Sequence, residues 1–152
     1  MKSELGRSLI EMLGVFAIGG IMTAAAYGTY TMLRTNQIRN LALSELEQIA
    51  RNTKILLEMR GDYRGVSVDY LIKSGALNEI KAPIGGEDWS VTSGLDGKTF
   101  SINLTNLTNG DCVYFATKKI DWAKSIAVNG LESSGSESCL SAPRNLISIT
   151  VE

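Results

Sequence analysis

Few residues in this chain have a type and spacing that could carry chemistry. The most unusual is Glu11, a carboxylate at the mouth of an uncharged run from Met12 to Leu33 (MLGVFAIGGIMTAAAYGTYTML), with the apolar pair Leu9 and Ile10 already before it. An unpaired carboxylate is costly in lipid, so this position asks for a cationic partner or a place among headgroups. Cys112 and Cys139 are the two cysteines. The 152 residues include no histidine and carry a net charge of −1, which leaves no histidine-based acid/base or metal site and no basic nucleic-acid surface. Asp88, Asp96 and Asp111 lack calcium-loop spacing, and neither a nucleophile elbow nor a glycine-rich phosphate loop is spelled anywhere. Asn103-Leu104-Thr105 and Asn106-Leu107-Thr108 spell glycosylation sequons but read more simply as polar strand ends. These residues argue against an enzyme and imply no cofactor.

The element that must position Glu11 is a helix. At about 1.5 Å per residue, about 22 uncharged residues reach about 33 Å, enough to cross the hydrocarbon core of a bilayer. The run is too long for a secretory signal, whose apolar core is about 7 to 15 residues. Cleavage at the internal Ala24-Ala25-Ala26 would leave more than half of it on the wrong side of the cut. A short polar leader, Met1 to Gly6 (MKSELG), comes first and ends in glycine. Gly6, four residues, Glu11 and then an unbroken apolar helix together resemble the processing signature of the type IV pilin superfamily, over Gly6 to Leu33.

That resemblance implies a sequence of events. A membrane-embedded aspartyl prepilin peptidase would cut between Gly6 and Arg7 on the cytoplasmic side, and the new amine would be N-methylated. Glu11, five residues into the mature chain, would then pair with the α-amino group of a neighbouring subunit. Two charges that are expensive alone in low dielectric attract strongly together, which selects the docked register. The implied partners are identical subunits in a helical homopolymer, prepilin peptidase, the inner-membrane pilus assembly machinery and, before assembly, the membrane itself. The implied location is the bacterial inner membrane for the precursor and an extracellular pilus filament afterwards. Arg7 departs from the Phe, Met or Leu usual after the cut; a cation there either strengthens the pairing with Glu11 or disturbs methylation and membrane depth.

Within the apolar run Gly20, Ala24 and Gly28 fall four apart, a small-residue line that lets another helix approach closely in lipid. No proline interrupts the run, and glycine, weaker than alanine in a helix by about 1 kcal/mol in water, is what could loosen it. After Arg34 the pattern turns amphipathic: Ile38, Ala42, Leu46, Ile49, Thr53 and Leu56 recur at three and four, with Leu41, Leu43, Ile55 and Leu57 off the stripe. The helix is expected to run to about Arg60, where Gly61 ends it, giving a rod of about 80 Å.

Beyond it, a connecting region from Asp62 to Gly86 holds a short helix near Ser67 to Lys73. Strands are expected at Asp88–Thr92, Thr99–Leu104 and Cys112–Ala116, a helix at Thr117–Asn129, a polar flexible stretch at Leu131–Ser138 and a final strand at Leu146–Val151. This predicts an α+β fold, a long N-terminal helix with a membrane-spanning first half, packed against an antiparallel sheet. The expected divisions are a leader (1–6), a transmembrane and filament-core helix (7–33), the amphipathic half of the same helix (34–60) and a globular head (61–152). A single cysteine pair in a domain outside the cytoplasmic membrane reads as a Cys112–Cys139 disulfide, and pilins likewise close a C-terminal loop, the D-region, with one. The order of motifs from Gly85-Gly86 to Cys112 looks like a type IVb head, whereas the six-residue leader has the type IVa length. The function implied is a structural pilus subunit. A minor pilin, a type II secretion pseudopilin or a non-polymerising membrane-tethered binding or adhesin domain are the alternatives. Mass spectrometry of the native N-terminus is expected to show a chain starting at Arg7; an intact Met1, or a start after Ala26, would overturn the resemblance.

Overall fold

The computed structural model describes residues 2–132 and 135–152, with side chains from residue 8 onward. Its elements are α1 (Lys2–Glu58), α2 (Val68–Lys73), β1 (Ser90–Ser93), β2 (Phe100–Leu107), α3 (Asn109–Thr117), β3 (Ser125–Val128), β4 (Leu131–Glu132), a 3-10 turn (Gly135–Ser138) and β5 (Asn145–Val151). They fall into two compact units, one ending at Gln37 and one from Ile38 to Glu152.

The first unit is α1 alone. Every described residue from 8 to 37 is exposed, large apolar side chains included. Its threonines turn their hydroxyls onto the helix: Thr23 donates to the Gly19 carbonyl at 2.8 Å, Thr29 to Ala26 at 2.9 Å and Thr31 to Gly28 at 2.9 Å. Such back-bonding satisfies a hydroxyl without water, the condition a helix must meet in lipid.

In the second unit, α1 continues and buries Ala42, Leu46, Ile49, Ala50, Thr53 and Leu57. The end of this stripe differs from the sequence expectation: Leu57 is 1% exposed and Leu56 37%. Ala50 is buried as well, and Leu57 lies seven residues on from it, two turns along the same side. Leu41 and Ile55 do remain exposed.

The buried stripe joins one core with a five-stranded antiparallel sheet of order β1-β2-β5-β3-β4. β2 and β5 form its centre, with Phe100, Ile102 and Leu104 opposite Val151, Ile149 and Ile147, all buried. The alternate positions are half-exposed, and there the hydroxyls of Ser101 and Thr150 meet at 3.0 Å. The alternation of Phe100, Ile102 and Leu104 thus places every second residue as read from the sequence. β2 runs on to Leu107 through an irregularity after Leu104, where Asn106 has φ +54°.

Two expected elements have exchanged types. Cys112–Ala116 belongs to α3, not to a strand, because Thr108 caps a helix there. The Thr108 hydroxyl accepts from the Asp111 amide at 3.3 Å and donates to the Asp111 carboxylate at 2.7 Å. The Thr108-x-x-Asp111 spacing is a capping signal, and it overrides the strand preference of Val113, Tyr114 and Phe115. Thr117–Asn129 contains β3, not a helix. β5 offers it a second edge, and Asn129 (φ +51°) and Gly130 (φ +84°) close a β3–β4 hairpin of the Asn-Gly type. The expected flexible stretch 131–138 is correspondingly ordered at β4 and at the 3-10 turn.

The segment between α2 and β1 approaches the sheet closely at Gly85. Gly85 has φ +81°, and a Cβ there would lie 2.2 Å from the Thr105 carbonyl oxygen of β2. Gly85→Ala is therefore expected to destabilise the full chain in detergent by about 2 to 4 kcal/mol in denaturant unfolding; an unchanged midpoint would show that this contact does not hold the segment on the sheet.

Candidate functional site

No set of three or more His, Cys, Asp or Glu could hold a metal among the described residues. The features that demand a partner are surfaces. The first is the apolar part of α1. Among the described residues it is the one helix long and apolar enough to cross a membrane. Leu9 is 63% exposed, Ile10 72% and Phe16 72%, so this face is uncovered within the chain. Glu11 stands exposed in its first described turns with no ion pair among the described residues. Gly6 and Arg7 lie in α1, but their side chains fall outside the described residues. Gly20, Ala24 and Gly28 share one line of the helix, and a Cβ at Gly20 or Gly28 would meet nothing within 4 Å.

The second feature is the C-terminal loop. Cys112 in α3 is bonded to Cys139 just after the 3-10 turn, across a sequence separation of 27. Closing a loop of that size stabilises a fold by about 3.5 kcal/mol in the chain-entropy model. Arg39 of α1 holds α3 from the other side: its Nε donates to Asp111 Oδ1 at 2.8 Å, and its guanidinium lies 5.1 Å from the centre of the Tyr114 ring. The loop closes on Asn145, which is fully buried. Its Nδ2 donates to the carbonyls of Leu107 (3.1 Å), Leu140 (3.0 Å) and Ala142 (3.1 Å). Its Oδ1 accepts from the Leu140 amide at 2.6 Å and from Asn129 Nδ2 at 3.1 Å. Asn129 also donates to the Ser138 carbonyl and accepts from the Leu146 amide. Two asparagines thus supply the polar partners that an irregular, partly buried backbone needs.

The third feature is a cleft of about 280 Å³ beside the second half of α1, lined by Glu45, Gln48, Asn78 and Glu79 over Ile49, Ala76 and Leu77. Burial pushes the Glu45 carboxyl above its ordinary range, and the Glu79 charge pushes the same way. The indole N–H of buried Trp89 opposes this by favouring the charged form, although it makes no hydrogen bond of normal geometry. Neither glutamate forms an ion pair among the described residues.

The disulfide between the two cysteines is as the sequence reading expected. That reading missed Asn129, Asn145, the Arg39–Asp111 pair and Glu45. Only the Asn129-Gly130 dipeptide carried a readable signal, that of a hairpin.

A membrane-competent helix continuing into an antiparallel α+β unit with a disulfide-closed C-terminal loop defines a recognisable class of protein. The chain has a type IV pilin-like fold. It is similar to the solved structure of TcpA, a type IV pilin from Vibrio cholerae El Tor biotype, with a TM-score of 0.62 and 15% identity over 76% of this chain and 99% of that one. It is also similar to the type IVb pilin from Salmonella typhi, with a TM-score of 0.53 and 18% identity over 72% of this chain and 97% of that one. No family model matches the chain, and no curated protein does.

The cleft makes a pH prediction. Glu45 titrates above 4.5 in the folded chain, so its protonation favours the folded state, and the stability it contributes at low pH is lost as pH rises through its folded pKa. Glu45→Gln is expected to raise the unfolding midpoint of the full chain in detergent at pH 7 and to lose this advantage towards pH 4. A midpoint lowered at pH 7 would show that the charge is instead stabilised in the isolated chain.

Proposed function

We propose that the chain is a structural subunit of a type IV pilus, cut between Gly6 and Arg7 by prepilin peptidase and polymerised through its N-terminal helix. The observation that carries this reading is Glu11, a carboxylate without an ion pair among the described residues at the mouth of a helix whose described apolar side chains are all exposed. A simple tether needs the apolar surface but has no use for the carboxylate. In a bundle of parallel helices both requirements are met together: neighbouring helices cover the apolar face, with Gly20, Ala24 and Gly28 allowing close approach, and the α-amino group freed by the cut neutralises Glu11. The pilin-like fold supports the same reading. Before assembly the helix holds the subunit in the bacterial inner membrane, and afterwards it forms the core of an extracellular filament, with the heads as its shell.

The pairing has a direction that can be tested. Glu11→Ala removes one charge of the pair but not the cut site, so cleavage is expected to persist while sheared filaments fall at least tenfold. Normal filaments from this variant would sink the pairing mechanism. A cleaved chain that never polymerises, in cells whose assembly machinery is intact, would favour the tethered adhesin.

A further inference from the structure

We propose that the Glu45–Glu79 cleft receives the ammonium group of Lys118 from a second copy of this chain, a contact between head domains that locks neighbouring subunits side by side. The inference rests on the filament reading above and adds to it a residue-level contact outside the apolar helix.

Two neighbouring carboxylates without a cation are an unfinished arrangement. The chain has Lys and Arg to spare, yet Arg39 is bound to Asp111 and Arg51 to Glu47, and none reaches Glu45 or Glu79 among the described residues. Burial and mutual repulsion already make the Glu45 charge expensive. Gln48 and Asn78 line the same cleft, and their carbonyl oxygens can accept what remains of the three N–H bonds of an ammonium group after the carboxylates have taken theirs. The cavity, about 280 Å³, accommodates the end of a lysine side chain.

The complementary group sits on the other flank of the same two turns of α1. There a groove is lined by Leu43, Ser44 and Glu47 of the helix and by the segment from Lys118 to Trp122. At about 100° per residue, Leu43 and Glu47 lie on the opposite side of the helix from Glu45 and Ile49 at the same height, with Ser44 and Gln48 between the two flanks. Lys119 is paired with Asp121 and Glu47 with Arg51, which leaves exposed Lys118 as the cation of this rim without an ion pair among the described residues. When copies pack side by side with these helix segments parallel, Lys118 on the rim of one faces the acidic cleft of the next. The two surfaces differ, so the contact is heterologous, which excludes a self-complementary two-fold dimer and is the kind of contact an open helical polymer requires.

Zero-length carbodiimide treatment of filaments sheared from cells expressing the full chain, followed by peptide mass spectrometry, is expected to give an isopeptide between Lys118 and Glu45 or Glu79. Glu79→Lys is expected to cut filament yield at least tenfold with an unchanged level of cleaved subunit in the membrane, and Lys118→Glu in the same chain to restore it. Glu45→Gln, which removes a charge without reversing it, is expected to give filaments that dissociate at lower salt. Filaments with no such isopeptide, or undiminished by Glu79→Lys, would overturn this contact and leave the pilus reading standing. Failure of the unmodified chain to form filaments, with Glu11→Ala indistinguishable from it, would overturn both.

Discussion

The constraint on which everything else depends is the uncovered apolar surface of α1. From residue 8 to residue 37 nothing among the described residues shields it, so water is a surrounding in which it is costly. Lipid satisfies it, and so do other helices of the same kind. The helix is built to be indifferent between the two. Its threonines bond to their own backbone, and its small residues leave room for a neighbour without requiring one. Glu11 breaks this indifference. In lipid its charge has no partner and is costly; beside a cationic amine it is favourable. Hydrophobicity therefore supplies the strength of association on the proposed reading, and one carboxylate supplies its direction.

The same helix then changes solvent. From Ile38 onward it keeps one face for the sheet, and the core formed there is that of an ordinary soluble domain, with Leu46, Ile49 and Leu57 against Phe100, Ile102 and Ile149. Because a single helix serves both units, the head needs fixings other than the helix core to keep its far loop in place. Arg39–Asp111 at one end of α3, the Cys112–Cys139 bond within it and the Asn129–Asn145 network behind it do this. Each ties segments distant in sequence together: α3 to α1, the C-terminal loop to α3, and the β3–β4 hairpin to β5.

How much of this could be read in advance follows from the range of the forces involved. The membrane-competent run, the amphipathic stripe and the alternation along β2 and β5 are patterns of burial, and burial writes itself into periodicity over a few residues. The type of the segments at 112–116 and 117–129 was not legible in that way. Val113, Tyr114 and Phe115 have strand propensity, but a single hydroxyl at Thr108 decided for a helix; Ile126 and Ala127 fit a helix, but the open edge of β5 drew them into the sheet. Both outcomes were signalled by short polar motifs, Thr108-x-x-Asp111 and Asn129-Gly130, that count for little in a reading based on apolar spacing. Asn145 and Glu45 were beyond reach, since nothing local distinguishes a buried hub or a strained carboxylate from any other Asn or Glu. Glu11 was legible because its surroundings are uniform over a long stretch, so that one charge stands out.

Glu45 and Glu11 pose the same physical problem at two depths. Each is a carboxylate without an ion pair among the described residues, one at the mouth of an apolar helix and one in a half-buried cleft beside the same helix. A protein selected only for the stability of its single chain would lose such charges, because a neutral amide at either position removes the repulsion or desolvation at no cost in packing. On the proposed reading, their presence marks surfaces whose energetics close only in an assembly. Stability withheld from the free subunit reappears as a difference between correct and incorrect neighbours, because a neighbour shifted along the helix leaves the carboxylates unpaired again. On the same reading the fixings of the head serve this discrimination: the Asn52 bond to the Ala76 carbonyl and the packed Trp89 hold the walls of the cleft in place.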